Sequence, residues 1–174
     1  MEPIKLKIRM WDLLFAGFST AALAFAMIKF PSVYGLSVYE IYIAGFLFII
    51  SAICMHEVGH MLTLSYYLKK PIGFVTFNMT RYNKIWLESG EQKDYENIDS
   101  RIGHKVYLWG IIAGLLIVIV GIIASPLYLV LIPLYFAGTK SDVDSMMKAV
   151  KKTWLEDNKN EPENKEQDKQ LESR

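Results

Sequence analysis

A single cysteine, Cys54, and only three histidines occur in the 174 residues. One thiol excludes an internal disulfide and is too little for a thiolate zinc site, so Cys54 is expected to be a small apolar packing residue. Charge is missing from long stretches. No charged residue lies between Val106 and Gly138, Ile41 to Leu68 carries one charged position, and Met10 to Phe30 carries only Asp12 and Lys29 near its ends. Such runs exceed the roughly 20 apolar residues that span a bilayer, and the chain is 52% hydrophobic with a positive mean hydropathy, which is high for a protein that must stay in water. A soluble domain is thereby excluded. The first run is too long, and lacks the small-residue cleavage site, for a removable signal peptide, so a retained helix is expected.

As one helix, Val106 to Gly138 would be about 50 Å long at about 1.5 Å per residue, against a hydrocarbon core of about 30 Å. The run must turn back, and Ser125-Pro126 is the natural reversal, because proline cannot donate to a continuing helix and disfavours helical geometry in the residue before it. The expected fold is an all-α integral membrane protein with about four transmembrane helices, roughly 10–30, 41–68, 106–124 and 127–138. Four crossings put the N-terminus, the 69–105 loop and the C-terminal tail on one side. All but Lys29 of the 19 Lys and Arg residues lie in those three regions, so the positive-inside rule makes that side cytoplasmic.

Outside the membrane, Phe74 to Thr80 alternates bulky apolar and polar residues, and Ile85 to Leu87 offers a second strand. A short cytoplasmic β-hairpin is expected, either as a structural lid or as an edge that pairs with an extended substrate. Val143, Met146, Met147, Val150 and Trp154 recur at helical spacing with Lys148, Lys151 and Lys152 largely on the other side, and Ser141 precedes them as a cap. This pattern predicts an interfacial amphipathic helix. One membrane domain over 1–154 is expected, followed by a charged, disordered and solvated tail over 155–174. No nucleic-acid partner is expected; the lipid bilayer is.

His56-Glu57-Val58-Gly59-His60 has the pattern HExxH inside the second apolar run. Residues four apart share a helix face, so both imidazoles can reach one zinc ion while Glu57 stands beside them as a general base. Ala52, Gly59 and Thr63 fall near the same face, where small residues would leave room for metal, water and substrate. Ionisable residues within a membrane helix cost several kcal/mol unless paired or coordinated, so they read as functional. The bland alternative is that the histidines satisfy interhelical hydrogen bonds and Glu57 is a buried carboxyl. A haem held by both rings is excluded, since residues four apart on one face cannot lie on opposite sides of a porphyrin.

A catalytic zinc site takes three protein ligands and leaves one position open. At about 1.5 Å per residue, His60 lies about 13 Å below the cytoplasmic boundary at Lys69, while the fourth segment falls about 10 Å short of crossing the core. Its end therefore reaches about the depth of His60. Asp142 follows that end, and Pro133 and Gly138 allow the backbone to bend towards the site. Asp142 could instead serve the dipole of the helix it starts, Asp144 could pair with Ser141 as a capping box, and His104 could swing in from the start of the third helix. The third ligand is Asp142, His104 or Asp144, with Asp142 favoured.

An HExxH in the second of a few membrane helices, followed by a hairpin, two more helices and an aspartate, resembles the site-2 protease family of intramembrane zinc metalloproteases. The chain is also similar to the small HExxH membrane zincin peptidases. The resemblance covers roughly residues 40–145. It implies that His56, His60 and Asp142 bind Zn2+, that Glu57 is the catalytic base, and that the substrates are membrane-anchored proteins cut within or near their spanning segment. The chain departs from the site-2 pattern at Val143, which stands where the aspartate motif has glycine. It departs again at Gly110 and Ala113-Gly114, which replace the Gly-Pro and Asn of the third helix. The competing function is a noncatalytic zinc-binding membrane scaffold, against which Glu57 argues, because a mere zinc site needs no base. Dinuclear iron oxidases and desaturases draw on larger His clusters than this chain holds.

Overall fold

The computed structural model describes residues 4–30, 37–79, 85–89 and 100–155. The expected tail over 155–174 lies, apart from Leu155, outside the described residues. A strand β1 (Ile4–Arg9) leads into helix α1 (Met10–Lys29) and, after it, helix α2 (Val38–Leu68). Strands β2 (Phe74–Met79) and β3 (Ile85–Ser89) follow, then helix α3 (Ser100–Ala124), a 3-10 segment (Pro126–Val130) and the short helix α4 (Leu131–Gly138). A last helix, α5, runs over 140–155. Three helices are long and apolar enough to cross a membrane: Met10–Lys29, Val38–Leu68 and Ile102–Ala124. The protein is thus a mostly helical membrane protein.

The hairpin is part of a larger sheet. Order β1-β2-β3 is antiparallel throughout, with Lys7 opposite Thr76 and Phe77 opposite Leu87. β2 is therefore the central strand, and the expected two-stranded hairpin gains a third strand from the N-terminal residues Ile4–Arg9. The chain passes from β1 to α1 with no linker, and the Met10 amide donates to the Gly73 carbonyl at 2.9 Å, which fixes the sheet across the end of the helices.

Helix α2 begins at a capping box: the Glu40 amide donates to Ser37 Oγ at 3.2 Å, and the Ser37 amide donates to the Glu40 carboxylate at 2.7 Å. It ends at Lys69 in the left-handed conformation, φ 50°. At 31 residues it is about 46 Å long, more than a bilayer core needs, so it crosses and extends beyond. Helix α1 turns Trp11, Phe15 and Phe18 outward and buries Gly17, Ala21 and Ala24. Large outside and small inside is what lipid permits, because hydrocarbon solvates the large residues and small ones let helices approach. Ser51 Oγ donates to the Gly17 carbonyl at 2.6 Å across that contact.

Two apolar clusters stack along α2. One gathers Phe48, Ala52, Val118, Tyr128 and Leu131; the other, nearer the sheet, gathers Leu13, Cys54, Val58, Met61, Val75 and Val106. Cys54 is a buried free thiol in the second, as expected of a packing residue. The reversal falls at Ser125-Pro126, with Ser125 extended at ψ 130° and proline opening the 3-10 segment. Tyr128 pins that segment to α2 by donating to the Ile41 carbonyl at 2.8 Å.

Helix α5 starts one residue before Ser141, so Ser141 is not its cap. The interruption between α4 and α5 is Thr139, whose carbonyl accepts from the amides of Asp142 and Val143 at 3.0 and 3.1 Å. Around α5, Val143 and Met146 pack on the first cluster, Met147, Val150 and Trp154 form an exposed apolar flank, and Lys148, Lys151 and Lys152 form an exposed basic one. A protein-facing, an apolar and a charged sector on one helix match a helix lying at a membrane interface.

Candidate metal centre

His56, Glu57 and His60 lie near the middle of α2, at the level of Cys54, Val58 and Met61, and all three are buried. The four-residue spacing stacks the two imidazoles one turn apart, with ring centroids 4.5 Å apart. Asp142 arrives from the first turn of α5. Its Oδ2 lies 2.6 Å from His56 Nε2 and 3.2 Å from His60 Nε2, and the two Nε2 atoms are 2.9 Å apart. Three ligand atoms from two distant parts of the chain thus face one point, and the group could hold a metal ion.

The other ring nitrogens have their own partners. His60 Nδ1 is 3.0 Å from the Val106 carbonyl, and His56 Nδ1 is 2.9 Å from the Tyr135 hydroxyl, which itself donates to the Ile111 carbonyl at 2.9 Å. When neutral, each ring carries one proton, and these partners place it on Nδ1. Both Nε2 atoms then present lone pairs towards a carboxylate oxygen. Three electron-pair donors at such distances attract only with a cation among them. A proton serves one donor pair, whereas a divalent metal ion serves all three, so the donor set fits a metal.

Helix packing makes room for this arrangement through glycines. A Cβ at Gly59 would come within 2.7 Å of the Trp109 carbonyl oxygen and 2.9 Å of Gly110 Cα. Gly59 therefore lets α2 and α3 touch backbone to backbone; it does not open space for substrate, as the helix-face argument expected. Ala52 does line a cavity. Its volume is about 500 Å³, its walls include Ile49, Ile53, Val118, Leu131 and Leu134, and His56, Glu57, Asp142 and Phe77 of β2 also border it. Ile53 and Leu134 are about half exposed, at 45% and 53%, so the cavity reaches the outer surface beside α2 and α4.

Asp142 is the acidic residue brought to the two histidines. Asp144 is exposed, and His104 lies outside the group, its Nδ1 buried with no hydrogen-bond partner among the described residues. Sequence reasoning missed Tyr135 and the two carbonyls that anchor the rings. A tyrosine in an apolar helix carries no mark of such a role, and a backbone acceptor carries none at all. No protein-family model, no curated protein and no solved structure matches the chain.

Proposed function

We propose that the protein is an intramembrane zinc metalloprotease acting on membrane-anchored proteins, with both termini cytoplasmic. The observation that carries this reading is the convergence of His56, His60 and Asp142 on one point, with Glu57 beside them at the border of an apolar cavity. Two imidazoles and a carboxylate are a donor set for catalytic zinc, and an adjacent glutamate is what separates a hydrolytic site from a structural one. When bound, zinc supplies Lewis acidity, which makes water more acidic and polarises a carbonyl.

The chain's own residues would do the rest. His56, His60 and Asp142 hold the ion; one carboxylate among the ligands halves the charge that must be buried. Glu57, next to His56 in α2, takes a proton from the attacking water and returns it to the leaving amine. The walls formed by Ile49, Ile53, Leu131 and Leu134 exclude bulk water and accept apolar side chains, which suits a substrate drawn from a spanning segment. β3, paired on one side among the described residues, offers an edge to which an extended segment can add. The 3-10 segment and α4 together rise about 20 Å, less than a core of about 30 Å, which supports a fourth segment that delivers Asp142 at membrane depth.

Glu57→Gln tests the enzymatic reading. The amide keeps shape and leaves the ligands intact, so the variant should retain its metal and lose cleavage of a reconstituted model membrane substrate by about 100-fold or more. Cleavage at the wild-type rate would exclude Glu57 as base, and metal binding without cleavage by either protein would favour the scaffold.

A further inference from the structure

Helix α3 contributes no ligand to the cluster among the described residues, yet His60 leans on it directly and His56 through Tyr135 of α4. Val106 and Ile111 have no polar side chain, so what they offer is the backbone carbonyl. A helical carbonyl oxygen has two lone pairs and uses one for the amide a turn further on. At Val106 the oxygen also lies 3.0 Å from His60 Nδ1, and at Ile111 it lies 2.9 Å from the Tyr135 hydroxyl. A carbonyl can only accept, so His60 Nδ1 must donate. Tyr135 has one proton and gives it to Ile111, so its oxygen accepts from His56 Nδ1 at 2.9 Å. Two glycines of α3, each about one turn beyond its carbonyl, leave space for these contacts. A Cβ at Gly110 would come within 2.6 Å of His60 Nε2 and 2.7 Å of Nδ1, and one at Gly114 would collide with the Tyr135 hydroxyl and lie 2.7 Å from its Cζ.

We infer that α3 sets the tautomers of the metal site, the Val106 carbonyl directly for His60 and the Ile111 carbonyl through Tyr135 for His56, which makes Tyr135 a positioning residue for the bound ion. Both rings then keep a proton on Nδ1 and turn Nε2 towards the Asp142 carboxylate, where the ion, or a proton in its absence, is held between them. In water a neutral histidine prefers the other tautomer, with the proton on Nε2, so an unanchored ring would have to move a proton to become a ligand. The geometry also excludes Tyr135 as a donor to substrate in this arrangement, because its only proton is committed to Ile111. The last step, from tautomer to metal affinity, rests on the proposed zinc site; the tautomers themselves do not.

Three histidines in the chain make the test direct, since 15N labelling of histidine gives only three pairs of ring nitrogens. Metal-free wild-type protein in lipid nanodiscs, above neutral pH, should show two rings with the proton on Nδ1. Tyr135→Phe should return His56 alone to a mixture of tautomers, leave His60 as it was, and weaken Co2+ binding, measured by competition with a chelator, by about 10–100-fold. Gly114→Ala should act in the same direction by displacing the same hydroxyl. Gly103→Ala is the control on the same helix: among the described residues its added Cβ would meet only the Ala149 Cβ at 3.9 Å, and tautomers and Co2+ affinity should stay at wild-type values. A tyrosine that merely packs would change thermal stability and leave the His56 nitrogen shifts in place. A wild-type spectrum in which His56 or His60 lacks a proton on Nδ1 overturns the inference, as does a Tyr135→Phe protein with wild-type tautomers and Co2+ affinity. Both rings in the Nδ1 form in a protein that binds neither Co2+ nor Zn2+ would uphold the tautomer assignment and defeat the metalloprotease reading.

Discussion

Asp142 reaches the two imidazoles because the segment before it is short and ends in a bend at Thr139. At the scale of single residues, HEVGH declared itself in the sequence: histidines at i and i+4 share one helix face wherever the helix goes. Asp142 was legible for a different reason, namely that a fourth segment of about a dozen residues, 127–138, falls about 10 Å short of crossing a core about 30 Å thick. The anchors behind the rings were not legible, because Val106 and Ile111 act through atoms that every residue has. Among the three candidates for third ligand, substitution separates the roles. Asp142→Asn should weaken metal binding by more than the roughly 10–100-fold that loss of a supporting partner costs, whereas His104→Ala and Asp144→Asn should bind as wild type. A chelator-competition titration of the three variants checks this, and loss of binding in His104→Ala alone would move the third ligand to α3.

At the scale of elements, the boundaries missed in the sequence follow from reading apolarity alone. Helix α3 begins at Ser100, well before the apolar run at Val106, because a helix leaving the membrane can continue through residues that are not apolar. Helix α2 begins at Val38, and its Ser37–Glu40 capping box was there to be read. β1 was the larger omission. Ile4-Lys5-Leu6-Lys7-Ile8-Arg9 alternates with a period of two, but its basic residues read first as a topological signal and the strand went unnoticed. The helical spacing of Val143, Met146, Val150 and Trp154 matches a helix over 140–155, which starts one residue before Ser141. With Cys54 replaced by alanine, spin labels placed singly through Met147→Cys, Trp154→Cys, Lys148→Cys and Lys151→Cys can test the three-sector assignment. Labels at 147 and 154 should be open to oxygen dissolved in lipid, and labels at 148 and 151 to a water-soluble nickel chelate. Equal accessibility at all four positions would mean that α5 leaves the membrane surface.

At the scale of the molecule, three long helices and one short return segment bring two regions of chain, some eighty residues apart, to one buried point. The basic residues predict that both termini face the cytoplasm. Reporter fusions after Arg174 should be active only in the cytoplasm; activity from the outer side would reverse the whole arrangement while leaving the cluster intact. The central claim is the metal itself. Elemental analysis of protein purified without chelator should find one zinc per chain in the wild type, and substantially less in His56→Ala, His60→Ala and Asp142→Asn. A wild-type protein that stays free of zinc when zinc is supplied, or a His56→Ala protein with unchanged zinc content, would contradict the account.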